Sequence, residues 1–318
     1  MSTSPRERIL ACAAAAGIAE RELGEIVPSW SQHTVLVGDD RVLRVCWLGN
    51  RERLTAESLL MRDLPAELGC PEVLAHGHAG DLTWALSRRM PGRTLASVWP
   101  ELGDAARTEA ARAIAGLLER LYAHRPSDHV TRALLAVPRW PDDLVGGAIL
   151  AWPVDRAKRL LADPRCVLRD DQKRRILTVF AEHPTPRVDD PTLPVIHGDL
   201  HASNVWWQGS PDEGRVTGLF DLEWARFAEP WADVGRSHER ALADLAEPDD
   251  SPDQGCHPRL IGDIVRFLPA WQLTDEHLVI STLGYSVRHS LQWDPLDEDS
   301  PRDHVVHTVD GLLARVRG

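Results

Sequence analysis

Three polar residues at short spacings mark where this chain could do chemistry. Asp199 precedes Asn204 by five residues in Val195-Ile-His-Gly-Asp-Leu-His-Ala-Ser-Asn-Val-Trp-Trp207, and Asp221 follows in Gly218-Leu-Phe-Asp-Leu-Glu-Trp-Ala225. Phosphoryl transfer needs such a set: a carboxylate to accept the proton of an attacking hydroxyl, plus an amide oxygen and a second carboxylate to hold Mg2+ on nucleotide phosphates. The same stretch admits another chemistry, because His197, Asp199 and His201 alternate along an extended loop and could ligate zinc for hydrolysis. Hydrolytic zinc sites recruit further ligands from elsewhere, and no second histidine-rich cluster is visible.

Short strands must position this set. Val195-Ile196, Asn204 to Gln208 and Arg215 to Phe220 read as a β island inside a region of Ala/Leu/Arg-rich helices expected over 105–124, 155–161 and 170–182. Upstream, the β-branched runs 33–38 and 41–48 flank Asp39-Asp40 and predict a hairpin; residues 51–65 predict a helix stopped by Pro65. Leu82 to Ser87 predicts another strand, and Met90-Pro-Gly92 breaks the chain behind it. The expected organisation is therefore α+β, with a β-rich part over 1–90 and a mostly helical part over 91–318 that carries the catalytic loop.

H-G-D-x-x-x-x-N with a downstream D-x-E-W-A resembles the aminoglycoside phosphotransferase family, which shares the bilobal protein-kinase-like fold and acts on antibiotics, choline and other small alcohols. The resemblance runs from about residue 25 to the end and is most specific over 195–235. It implies Asp199 as catalytic base, Asn204 and Asp221 as magnesium ligands, and His197 as a residue packing the loop. His201 falls where protein kinases often place a lysine near the transferring phosphate; Glu223 supplements the metal or substrate site, and Asp233 braces the loop from a following helix.

In the first part, Glu57 matches the helix glutamate that pairs with a strand lysine, and the backbones of Arg88 and Met90 match the hinge that meets the purine edge. Two departures stand out. The only lysines are Lys158 and Lys173, so Arg44 is the natural substitute on the strand, with a permanent charge and a forked set of donors. The glycine-rich phosphate loop is replaced by Ser29-Trp-Ser-Gln-His33, where Ser31 and backbone N–H groups would meet the phosphates.

The implied activity is Mg2+-dependent transfer of the γ-phosphate of ATP or GTP to a hydroxyl of a small molecule, foremost an antibiotic of aminoglycoside, macrolide, peptide or nucleoside type. A metabolite kinase for a choline- or homoserine-like alcohol is the alternative within the class. An inactive nucleotide-binding module, or a metal-dependent hydrolase using His197, Asp199 and His201, are the alternatives outside it.

Composition agrees with this class. The 318 residues are 43% hydrophobic and 26% charged, which argues against a disordered or membrane-spanning chain. Thirty-six Lys and Arg against 48 Asp and Glu give a net charge of −12, which disfavours nucleic acid and anionic membrane surfaces as partners and suits a cationic small molecule. Five scattered cysteines without a Cys-x-x-Cys pair point to a reduced, cytoplasmic chain. Residues 9–19 superficially copy a signal peptide behind Arg6 and Arg8, but the alanine content and flanking Glu7 and Glu20 favour an amphipathic first helix. The tryptophans are mostly core residues; Trp206, Trp207, Trp224, Trp271 or Trp293 could line a substrate pocket.

Overall fold

A computed structural model of the chain describes residues 4–28, 32–47, 52–137, 154–246, 256–292, 294–295 and 304–316. The chain opens with α1 (Pro5–Ala15), β1 (Leu23–Pro28), β2 (Gln32–Val37), β3 (Arg41–Cys46), α2 (Glu52–Asp63), β4 (Val73–Ala79) and β5 (Leu82–Arg88). It continues through β6 (Arg93–Thr94), α3 (Leu95–Val98), α4 (Asp104–Ala123), α5 (Asp128–Ala136), α6 (Val154–Ala162) and α7 (Asp170–Glu182). Then come β7 (Val195–Ile196), β8 (Val205–Gln208), β9 (Arg215–Leu219), β10 (Arg226–Phe227), α8 (Val234–Ala246), α9 (Cys256–Phe267), α10 (Asp275–His289) and α11 (Val305–Arg315).

Two compact units result. The described residues within Met1–Pro91, Pro126–Ala148 and Phe220–Trp224 form the first, and those of Gly92–Arg125, Ile149–Leu219 and Ala225–Gly318 form the second. The chain leaves the first unit at Pro91, beside the Met90-Pro-Gly92 break, and returns to it for α5 and the short segment holding Asp221.

The first unit is built on an antiparallel sheet of order β1-β2-β3-β5-β4. Period-two alternation gives the sheet two different faces. Val35, Val37, Leu43, Val45, Trp84 and Leu86 point one way and form a core with Ile9, Cys12, Ala13 and Ile18. Arg44, Cys46 and Ala85 point the other way, where Leu54 of α2 covers Cys46 and Ala85. Helix α1 begins with a capping box: Ser4 Oγ accepts from Glu7 N–H and Glu7 Oε2 accepts from Ser4 N–H at 2.7 Å, with Pro5 in the first turn. Such a cap contributes about 1 kcal/mol and a buried Ile9 about 1.5–3 kcal/mol, so α1 is anchored in the core. β1 and β4 have no strong sequence signal, since Leu-Gly-Glu-Ile-Val-Pro and Val-Leu-Ala-His-Gly-His-Ala are poor in β-branched residues; ladder pairing with β2 and β5 makes them strands.

In the second unit α4 buries Ala110, Ile114, Leu117, Leu118 and Leu121, a three-to-four-residue recurrence that explains why its pattern is readable. The β island divides into β6-β8-β9 and β7-β10. β7 pairs Ile196 with Arg226 of β10, and the chain then turns into the Asp199 loop. Helices α8 and α10 pack at backbone contact: a Cβ on Gly235 would lie 2.7 Å from the Ser281 carbonyl oxygen.

Candidate active site

In the second unit, the loop after β7 is pinned from below by one carboxylate. Asp233 Oδ2 accepts from the His197 N–H at 2.9 Å and its Oδ1 from the Gly198 N–H at 2.6 Å. Gly198 has φ +83°, a conformation that glycine adopts without steric cost, and this is what turns both N–H groups toward one side chain. Tyr122 of α4 donates to Asp233 Oδ2 at 3.0 Å and accepts from Trp271 Nε1 at 2.9 Å. Burial pushes the Asp233 carboxyl up, while the His197 charge and the Gly198 and His197 N–H bonds oppose that rise.

Asp199 sits at the tip of this loop. Its backbone carbonyl accepts from Asn204 Nδ2 at 3.0 Å, which fixes the five-residue turn between the two. Its carboxylate lies between His201 Nε2, 3.7 Å from Oδ2, and Arg236 Nε, 3.4 Å from Oδ1. Burial alone would raise the Asp199 carboxyl, yet His201, Arg236 and His197 together hold it down to about 2. Arg236 in turn stacks on Tyr285, 5.0 Å from the ring centroid, and lies 3.6 Å from Glu239 Oε2.

The zinc reading has no geometry behind it. His197 is fully buried and accepts from the Asp199 N–H through Nδ1 at 3.3 Å, so it is turned inward beneath the loop. Among the described residues no three His, Cys, Asp or Glu side chains gather to hold a metal ion.

In the first unit, Arg44 of β3 is the centre of an ion cluster. Its Nη1 donates to both oxygens of Glu57 at 2.7 and 2.8 Å, its Nη2 to Asp221 Oδ1 at 2.8 Å, and its Nε to Gln32 Oε1 at 3.0 Å. Strand alternation aims Arg44 at α2, and Glu57 lies one turn beyond Leu54 on the buried side of that helix. The Leu222 N–H adds a bond to Glu57 Oε1 at 2.9 Å. Glu223 accepts from Gln32 Nε2 and pairs with Arg53 Nε at 3.1 Å, and the Arg53 guanidinium lies over Trp224. Two arginines thus face three carboxylates. Burial pushes Glu57 up and Glu223 up to about 8, with Asp221 adding to the rise in each and Arg44 opposing it.

Asp221 has φ +63° and its side chain is about one-third exposed at 32%, so one oxygen holds Arg44 while the carboxylate remains open to solvent. With Nδ2 of Asn204 committed to a carbonyl, that amide offers its Oδ1. A carboxylate and an amide oxygen are the hard donors that Mg2+ prefers, so both residues fit the ion chemically.

Arg88 ends β5, and its N–H donates to the Glu72 carbonyl at 2.9 Å, so this donor is already engaged. Met90 lies half-buried in the connection beyond it. Ser31 lies outside the described residues; the neighbouring Gln32 and His33 are buried. Gln32, Arg53, Tyr122 and Arg236 were not legible as site residues. Their partners are distant in sequence; Arg236 alone stands close to an expected site residue, three positions after Asp233 in the first turn of α8.

Residues 23–255 match the model of the phosphotransferase enzyme family. The chain therefore belongs to that family and is a small-molecule kinase acting on hydroxyl groups. Wild-type aminoglycoside 2'-phosphotransferase-IIIa in its GDP complex is similar at a TM-score of 0.62 and 16% identity, over 98% of this chain and 98% of that one. The streptomycin-ATP-APH(2")-IIa ternary complex is similar at 0.58 and 14%, over 100% and 98%, and aminoglycoside-3'-phosphotransferase of type VIII at 0.56 and 23%, over 89% and 98%. These likenesses establish the mixed α+β, kinase-like fold, with an antiparallel sheet in the N-terminal part and a helical C-terminal part. No curated protein sequence matches the chain. Among the described residues no helix is long and apolar enough to cross a membrane, and all five cysteines are free.

Proposed function

We propose that this kinase transfers the γ-phosphate of ATP or GTP to a hydroxyl of a small antibiotic, in the cytoplasm, with nucleotide binding assigned to residues 1–90 and acceptor binding to 91–318. The observation that carries it is the Asp199 loop, whose backbone is fixed by Asn204 and Asp233 and whose carboxylate is held ionised at about 2. Phosphoryl transfer runs through a loose transition state with little proton transfer at its start, so a well-placed carboxylate of low basicity is enough to orient the hydroxyl. As the acceptor oxygen bonds to phosphorus, the bond to the bridging oxygen of the nucleotide breaks. The electron pair leaves with the nucleoside diphosphate, and the hydroxyl proton passes to Asp199.

Asn204 Oδ1 and the Asp221 carboxylate would hold Mg2+, which neutralises charge on the nucleotide phosphates. Arg44, anchored by Glu57, would steady the α/β phosphates, with Ser31 and the Met90 backbone as further nucleotide contacts. His201 would stand beside the transferring group and Glu223 beside the metal carboxylate. Support for a nucleoside triphosphate donor comes from the GDP and ATP complexes of similar structures, and for an antibiotic acceptor from the streptomycin complex among them.

The test is incubation with ATP or GTP, Mg2+ and a panel of hydroxyl-bearing antibiotics and metabolites, read by mass spectrometry for a product heavier by one phosphoryl group. Asp199→Asn is expected to abolish the product while nucleotide binding persists. Product formation by that variant at the wild-type rate overturns the assignment.

A further inference from the structure

The ion pairs of Arg236 are unlike those of Arg44. Arg44 spends Nη1, Nη2 and Nε on partners at 2.7 to 3.0 Å, as a structural clamp does. Arg236 instead rests on the Tyr285 ring with carboxylates at 3.4 Å and 3.6 Å, beyond good hydrogen-bond length. Among the described residues, Arg236 Nε, Asp199 Oδ1 and Glu239 Oε2 are all buried atoms without a hydrogen-bond partner. The other Glu239 oxygen is bound by Ser286 Oγ at 3.1 Å and His289 Nδ1 at 3.2 Å, so the Glu239 end of the group is anchored and the Asp199 end is not. A guanidinium with five donors, parked this loosely beside a reacting carboxylate, is arranged for an oxyanion that arrives with the reaction.

We propose that Arg236 is a second catalytic group of the transfer and binds the non-bridging oxygens of the phosphoryl group in flight. The proposal rests on the phosphotransferase reading of Asp199. An attacking hydroxyl on Asp199 stands within about 3 Å of the carboxylate, and the phosphorus about 3–3.5 Å beyond it. A cation 3.4 Å from Asp199 Oδ1 is near enough for its fork to reach oxygens on a phosphorus that arrives on the Arg236 side of the carboxylate. Of the two basic side chains paired with Asp199, His201 and Arg236, only Arg236 carries a permanent charge. The charge of the transferring group is spread over its equatorial oxygens, and a planar fork matches two of them at once.

The experiment uses the full chain and needs no acceptor. Thermal stabilisation is measured with ADP or GDP and Mg2+, and again after adding aluminium fluoride, a mimic of the phosphoryl group in flight. Wild type is expected to gain a second upward shift from aluminium fluoride. Arg236→Gln should keep the diphosphate shift and lose the second, with affinity for aluminium fluoride falling tenfold or more, and Arg236→Lys should keep part of it. An equal second shift in wild type and both variants, or none in wild type that binds the diphosphate, overturns the proposal. Binding of inorganic phosphate without nucleotide, lost in Arg236→Gln, also overturns it by placing Arg236 on an anionic group of the acceptor. Failure of wild type to bind either diphosphate with Mg2+ overturns the phosphotransferase reading itself.

Discussion

Arg44 donates to Asp221 at 2.8 Å across 177 positions of sequence, and the same guanidinium grips both oxygens of buried Glu57. One strand cation therefore serves a structural carboxylate and a candidate metal ligand together. Asp221→Ala removes the exposed partner and leaves the Arg44–Glu57 pair intact. Turnover should fall on the order of a thousandfold or more, with little change in the urea midpoint.

Arg44→Ala has the opposite signature for stability. It leaves Glu57 buried without its counterion, and removing one member of a buried pair costs about 3–5 kcal/mol. Urea denaturation should show that loss, and Arg44→Met combined with Glu57→Leu should recover much of it, because both charges then vanish together. Equal stability of Arg44→Ala and wild type would contradict the buried clamp.

Tyr122 stands between Trp271 and Asp233, accepting from one and donating to the other. Tyr122→Phe strands the Trp271 N–H and removes one of the bonds that aim Asp233 at the loop, at about 1–3 kcal/mol. Because the Asp199 loop hangs from Asp233, kcat should drop by up to about a hundredfold with KM for nucleotide unchanged. Steady-state kinetics separates the two.

His238 gives a pH dependence with a defined sign. Its ring is buried, bonded through Nδ1 to Thr282 Oγ1 at 2.6 Å, and burial, with the Arg315 charge adding, lowers it to about 4. The unfolded chain, near 6.5, then binds the proton more readily than the folded one, so stability falls as pH drops from about 6.5 toward 4, by roughly 3 kcal/mol. Above that window the group contributes no such loss. Denaturation midpoints of His238→Gln should show a shallower decline between pH 6.5 and 4 than wild type.

Gly235 tests the packing that carries Arg236. An alanine there puts its methyl against the Ser281 carbonyl, and overpacking of this kind costs about 1–3 kcal/mol. Since α8 bears Arg236 and α10 bears Tyr285, Gly235→Ala should lower both the melting temperature and the rate, whereas Gly262→Ala, with open space at its Cβ inside α9, should leave the rate unchanged and raise the melting temperature, alanine being favoured over glycine in a helix by up to about 1 kcal/mol.

Local features were legible from sequence and distant ones were not. The β2–β3 hairpin, α7 and the β7 to β9 island declare themselves because each is fixed by near-neighbour patterning, and Asp199, Asn204 and Asp233 share one short stretch. Arg44 and Glu57 could be paired on paper through the family resemblance, which implies a strand cation opposite a helix glutamate. Asp221's approach to Arg44, the Gln32–Glu223 contact and the loose seat of Arg236 depend on register between remote elements, which no local pattern encodes. β1 and β4 were hidden for a related reason, being strands by partnership and not by composition.

The grip of Asp233 on two successive peptide N–H groups has a thermodynamic corollary. These bonds need no ligand, so the loop that presents the Asp199 carboxylate is already ordered without one. The entropy of arranging that peptide segment is settled once, when the chain folds, and does not recur in each catalytic cycle.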